Sequence, residues 1–265
     1  MHWPERTVGI VIGAALAVVM VLTTAYQIVG LTAGTHRRQT TLRYGSVRSV
    51  IVEDASTLRL RAGTAGAGVT VERTVVESML PVRARSSVAG STLTLSGRCD
   101  GWQLIGRCEI SYDVAVAPDT SIVARGRSGS IQADGLTGRV SLTTDSGDVT
   151  ASGSTGPVAL RADSGDVTVR GQRGGAVSLR TDSGDVTATG VRAADLTASA
   201  NSGNVDASFD SAPMRVKARA DSGDVTIEVP RGSATYRVQR STDSGTTSST
   251  VPDSGTADAR RSWRC

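Results

Sequence analysis

Four runs of Asp-Ser-Gly-Asp each place two carboxylates, a hydroxyl and a glycine side by side: Asp145–Asp148, Asp163–Asp166, Asp182–Asp185 and Asp221–Asp224. Asn201-Ser202-Gly203-Asn204 is an amide version of the same unit, and Ser128-Gly129-Ser130 is a weaker one upstream. Such residues support three kinds of chemistry. Carboxylate oxygens can gather calcium, which takes several oxygens at about 2.3–2.6 Å. A pair of acids can serve as general acid and base on a glycosidic bond. Alternatively, Asp and Ser make turn hydrogen bonds to the backbone while Gly supplies a positive φ.

The spacing favours the last. The serines fall at Ser128, Ser146, Ser164, Ser183, Ser202 and Ser222, in steps of 18, 18, 19, 19 and 20 residues. The repeated turns are thus Ser146-Gly147, Ser164-Gly165, Ser183-Gly184, Ser202-Gly203 and Ser222-Gly223. If the units stack in register, Asp148, Asp166, Asp185 and Asp224 form one column, with Asn204 between the last two. They are the calcium candidates, and no other cofactor or metal is expected. Like charges about 4.8 Å apart repel unless water, Arg or a cation sits among them. Asn201 and Asn204 replace both acids of one unit, which interrupts any strict cation column.

Other chemistry is thin. The only histidines are His2 and His36, so a Ser-His-Asp or Cys-His arrangement has no base inside the repeats. No HExxH, P-loop or dinucleotide-binding motif occurs. Aromatics suited to stacking sugars or bases are few: Tyr44, Trp102, Tyr112, Phe209, Tyr236 and Trp263. No catalytic residue is assigned and no enzyme is expected. The net charge is +4, and of 29 basic residues only Lys217 is lysine. Arg161, Arg170, Arg180, Arg192 and Arg219 read as scattered, without the dense basic stripe and interleaved aromatics that nucleic acid needs.

The elements that carry the tetrads follow from hydropathy. Around Asp163–Asp166, Val158, Leu160 and Ala162 alternate with polar neighbours, as do Val167 and Val169 beyond it. Period-2 alternation marks a half-buried strand. Val140, Leu142 and Thr144 repeat this in one unit, and Val177, Leu179 and Thr181 in another. A second turn follows each pair at Gly135–Gly138, Gly153–Gly156 and Gly171–Gly174. A meander of antiparallel hairpins would satisfy the alternation. A β-solenoid also explains the identity between units, because parallel coils put like residues above one another. The expected fold is all-β: a single-stack β-solenoid of about 18–20 residues per coil, preceded by one N-terminal transmembrane helix. Its small interior residues suit a thin coil that has no room for bulky aromatics.

The chain divides into a short tail at 1–6, a signal anchor at 7–31, a linker at 32–45, a solenoid at 46–240 and a flexible tail at 241–265. Within the solenoid, 46–124 reads as irregular coils or a cap and 125–240 as regular repeats. The array ends near Arg240, which takes the position of Leu142, Leu160 and Leu179. Residues 7–35 carry no charge, and 8–31 are strongly apolar. That run exceeds the 7–15 residues, roughly, of a signal-peptide core. A leader cleaved near Thr23-Thr24-Ala25 is the alternative. Arg37, Arg38, Arg43 and Arg48 follow the span and favour a cytoplasmic domain.

Cys99 and Cys108 argue the other way. They sit ten residues apart by inclusive count, between strand-like segments. A bridge there contributes about 2.5–3 kcal/mol in the chain-entropy model and persists only outside the cytosol. Inert thiols or zinc are the other readings, and the spacing is poor for zinc. Cys265 is left over.

The Ser-Gly-Asp-Val-Thr units at 146–150, 164–168, 183–187 and 222–226 follow a strand-rich section with a Cys pair and Val116-Ala117-Pro118-Asp119-Thr120. In this the chain resembles the bacterial "putative adhesin" family of β-solenoids, a domain of unknown function, in its actinobacterial, membrane-anchored form. The resemblance covers about 46–230. It implies a non-catalytic adhesion, interaction or structural module at the cell surface, single-pass in the membrane. Its expected partners are the membrane, through the N-terminal helix, and a cell-wall polymer or envelope protein, with no nucleic acid. The alternatives are an envelope-stress accessory or sensor that binds a membrane partner or wall component, and a glycan-active β-helix enzyme.

Overall fold

A computed structural model describes residues 36–77, 82–99, 108–230 and 237–250. The first strand is β1 (His36–Tyr44). β2 (Ser49–Ala55) and β3 (Thr57–Ala62) form a coil. An excursion follows through β4 (Val69–Glu77), β5 (Val82–Ala89), β6 (Thr92–Cys99) and β7 (Cys108–Val116). The regular coils then run β8 (Ser121–Ser128) with β9 (Ile131–Asp134), β10 (Val140–Ser146) with β11 (Val149–Ser152), and β12 (Val158–Ser164) with β13 (Val167–Arg170). They continue with β14 (Ala176–Ser183) and β15 (Val186–Val191), then β16 (Asp195–Ser202) and β17 (Val205–Phe209). β18 (Arg215–Ser222) with β19 (Val225–Glu228) and β20 (Arg237–Ser244) with β21 (Thr247–Thr250) complete the stack.

The coils stack in parallel, as the solenoid reading expects. One sheet has 11 strands in the order β1-β4-β7-β3-β9-β11-β13-β15-β17-β19-β21. The others form a 10-stranded sheet, β20-β18-β16-β14-β12-β10-β8-β2-β6-β5. Register is residue for residue: Val140 pairs with Val158, which pairs with Val177, and Leu142 with Leu160, which pairs with Leu179. On the facing sheet Val149, Val167 and Val186 align in the same way. All of these side chains are buried. Each coil leaves its apolar edge for the next to cover, so one continuous core runs along the stack.

Several expectations change. No helix among the described residues is long and apolar enough to cross a membrane, and residues 7–31 lie outside them. Among the described residues the fold is all-β, and the expected preceding helix falls outside them. The expected linker at 32–45 contains β1, which pairs antiparallel with β4. His36 thus belongs to the folded domain, exposed at a sheet edge.

Residues 46–124 form two further parallel coils plus antiparallel edges. β2/β3 stacks directly under β8/β9. β6 and β7 stack beneath it in turn, reached through the chain excursion. Antiparallel β5 and β4/β1 then close that end. The array also passes 240: Arg240 pairs with Ala218, but its coil completes with β21. Among the described residues, two aromatics are buried after all. Tyr112 lies in the non-repeating end, and Phe209 lies beside a register shift between Ala188 and Val191 that opens room for it.

Candidate functional site

The tetrads and their Ser-Gly variants form one corner of the regular coils, and glycine sets the geometry. Gly147, Gly165, Gly184, Gly203 and Gly223 have φ between 127° and 143°, a region where a Cβ is strained. A Cβ on Gly165 would also lie 2.2 Å from the Gly147 carbonyl oxygen. Backbone rests directly on backbone along this corner, so glycine is required both by conformation and by space.

The second acid of each tetrad reaches the next coil. Asp148 Oδ1 accepts from the Asp166 amide at 3.0 Å, and Asp166 Oδ1 from the Asp185 amide at 2.9 Å. Asp185 Oδ1 accepts from the Asn204 amide at 2.7 Å, and Asn204 Oδ1 from the Asp224 amide at 2.9 Å. Asp224 Oδ1 ends the ladder, taking the Thr246 amide at 2.7 Å and its hydroxyl at 2.8 Å. Those Thr246 bonds stabilise the ionised form and hold the Asp224 carboxyl below the ordinary aspartate value, the backbone bond most of all.

This alters the reading of Asn204. What the column needs is a side-chain acceptor oxygen, which Asn supplies as well as Asp, so the amide unit does not interrupt it. A local turn cannot account for the pattern, because each bond spans 18 to 22 residues. Among the described residues no group of three or more His, Cys, Asp or Glu could hold a metal ion.

Three of the four first acids, Asp163, Asp182 and Asp221, are balanced by arginine. Arg125, Thr143, Arg161 and Arg180 share one column, which continues through Ser199 and Arg219. The basic residues that looked scattered in the sequence are therefore partly aligned. Arg161 bridges Asp163 at 2.8 Å and Asp182 at 3.0 Å. Arg219 bridges Asp221 at 2.7 Å and Asp243 at 3.1 Å. Where Ser199 replaces the arginine, Asn201 replaces the acid and donates to Asp182 at 3.2 Å. Inside the corner, the Thr181 hydroxyl donates to the Gly165 carbonyl at 2.9 Å. The tetrad serines align between neighbouring coils, and their backbones continue the pairing.

Cys108 is disulfide-bonded. The Cys99 side chain lies outside the described residues, as do 100–107 and Cys265. The segment between Cys99 and Cys108 joins β6 to β7.

The repeat and corner architecture match a known family. The model of the "Toastrack DUF4097" family matches residues 104–263. The chain belongs to that family. It is similar in structure to a putative adhesin from Bacteroides fragilis, with a TM-score of 0.58 at 13% identity, covering 82% of this chain and 99% of that one. A putative adhesin from Parabacteroides merdae aligns with a TM-score of 0.38 at 13% identity, over 80% of this chain and 95% of that one. A putative lipid binding protein from Parabacteroides distasonis aligns with a TM-score of 0.43 at 9% identity, over 81% of this chain and 94% of that one. Only the first supports the shared fold. No curated protein matches the chain.

Proposed function

We propose that the chain is a non-catalytic interaction module of the cell envelope, working outside the cytosol at the cell surface. The observation that carries this is the use of the tetrads. Their acids, which look like a site in the sequence, hold one coil to the next and cancel arginine charge. The repeated unit is thereby a scaffold, and what it offers a partner is its regular outer surface. Thr150, Thr168 and Thr187 pair in one outward row, and Thr226 continues it past Asp206. Solenoids bind by extended, repeated contacts of this kind. The name of the Bacteroides fragilis neighbour agrees with an adhesive role. The bonded Cys108 favours a compartment outside the reducing cytosol, and its partner in this reading is Cys99.

Co-sedimentation of the full chain with isolated cell envelopes tests the reading. Binding that survives saturation of non-specific sites, with no release of soluble sugar, supports it. A chain that stays in the supernatant at every salt concentration, or one that depolymerises the envelope, overturns it.

A further inference from the structure

The two sheets do not match strand for strand. Outward from the regular coils, β3 and β2 share one coil and β7 and β6 the next. β4 and β5 form the layer after that, where Arg73 of β4 donates to the Ala84 carbonyl of β5 at 3.3 Å. The 11-stranded sheet then continues with β1, whereas the 10-stranded sheet has already ended at β5. Among the described residues no strand stands opposite β1.

This leaves a shelf beside an edge. Thr40, Leu42 and Tyr44 of β1 pair with Arg73, Val71 and Val69, so they share the core-facing side of the sheet. Leu42 and Tyr44 pack against the core but are only partly buried. Across from them, Val88 of β5 is 49% exposed. β5 is also an edge strand of eight residues. Every second residue of such a strand turns its N–H and C=O away from its one partner, here β6. Unpaired backbone groups and uncovered apolar side chains therefore meet in one place. The outer edge of β1 has the backbone groups without an opposing shelf.

The floor of the shelf is charged. Arg73 reaches from β4 to β5 between the sheets, and its Nε is buried without an acceptor. Of its five N–H donors, only one has an acceptor among the described residues. The core-facing side of β4 carries one acid, Glu77, four residues or about 13 Å along the strand. Arg38 of β1 lies between them in register, opposite Val75, and is exposed.

We propose that β5 accepts one extended peptide segment of a partner protein as an added strand, seated under β1 with an acidic side chain against Arg73. The inference rests on the surface-module reading above for where the partner is found. The place is one strand wide, about 4.8 Å along the stack. A second copy joined β5 to β5 does not fit it: that copy's β4 would stand opposite its own β5, where β1 already stands. A lone strand meets no such obstacle. It gains main-chain bonds from β5 and buries alternate apolar side chains against Leu42, Tyr44 and Val88. A carboxylate among those inward side chains takes the free guanidinium donors of Arg73.

The test uses the full chain in phosphatidylcholine nanodiscs. The probe is a fluorescein-labelled peptide as long as β1, nine residues, of alternating valine and threonine with glutamate in place of the central valine. A second probe has glutamine there. Anisotropy should show the glutamate probe binding the parent about tenfold tighter or more. Arg73→Gln should bring the two probes within about twofold of each other. Leu42→Arg should weaken both by about tenfold or more. Thr41→Arg, one residue away on the opposite side of β1, should leave both near the parent. Bound probe should slow hydrogen exchange in β5 and leave β21, the edge strand at the other end of its sheet, unchanged; this readout stands even if a variant fails to fold.

Binding of neither probe overturns the proposal. So does a glutamate preference that survives Arg73→Gln, or a loss in Thr41→Arg equal to that in Leu42→Arg. β5 amides as protected without the probe as with it also overturn it, because lipid or the chain's own residues then fill the place. If neither probe binds while the parent still sediments with envelopes, the strand site fails and the surface-module reading stands. If the probe binds a parent that does not sediment, the surface-module reading fails and the strand site stands.

Discussion

Gly165→Ala is the substitution that most sharply tests how the coils are held. An ideal Cβ there would meet Gly147 O at 2.2 Å and Gly147 C at 2.6 Å, both of them backbone atoms of the coil below. Neither can swing aside as a side-chain end would. Relief requires the corners to part, which stretches the bond from the Gly147 amide to the Ser164 carbonyl, 2.8 Å long. The φ of 137° adds conformational strain. Strain of about 1–3 kcal/mol, overpacking of about 1–3 and one lost hydrogen bond of about 1 sum to about 3–7 kcal/mol. Gly153→Ala is the matched control. Gly153 has a φ of 61°, and a Cβ there meets nothing within 4 Å, so only the left-handed backbone is disfavoured. That costs about 1–2 kcal/mol. Urea denaturation of both variants, with m compared to the parent, measures the difference. If Gly165→Ala destabilises no more than Gly153→Ala, backbone stacking at the corner is not what demands glycine.

Three other outcomes are expected. Tyr112, buried and donating to the Ser96 carbonyl at 3.2 Å, has its phenol pushed up to about 12 by desolvation. Its neutral form is favoured by folding, so that contribution is complete below the ordinary tyrosine value and is lost as pH rises toward 12; alkaline difference spectroscopy should show a late-titrating component that Tyr112→Phe removes. Replacing Arg161 with Met should cost only about 0.2–1 kcal/mol in chemical denaturation, because the Arg161 and Asp163 side chains are 39% and 49% exposed; a much larger loss would mean the charge ladder outweighs the hydrogen-bond ladder. Cys108→Ser should destabilise the chain by about 2–5 kcal/mol, and mass spectrometry after alkylation should pair Cys108 with Cys99 and not with Cys265.

The stacked architecture was legible because a parallel solenoid writes itself into sequence as identity at fixed spacing. Val140, Val158 and Val177, or Leu142, Leu160 and Leu179, are each other's neighbours in space, and their alternation shows which face is inside. The corner's bonding was not legible. Asp148 and Asp166 are separated by 18 residues, and a turn rule looks only a few residues ahead. The arginine column was hidden for a related reason: coil length varies by one or two residues, so aligned positions look scattered until register is known. The N-terminal end was the least readable. Its coils are assembled out of chain order, with β6 and β7 stacked beneath the earlier β2 and β3, and no repeated unit announces them.

The acidic column is a hydrogen-bond ladder between coils. A comparison of Asp166→Asn/Asp185→Asn with Asp166→Ala/Asp185→Ala, each melted with calcium and with chelator, tests it most directly. The asparagine pair keeps both acceptor oxygens and should stay within about 0.5 kcal/mol of the parent. The alanine pair loses two hydrogen bonds and should fall by about 1–3 kcal/mol. Calcium should move none of the three melting temperatures. An asparagine pair as damaged as the alanine pair, or a calcium-dependent rise in the parent that asparagine abolishes, would contradict the account.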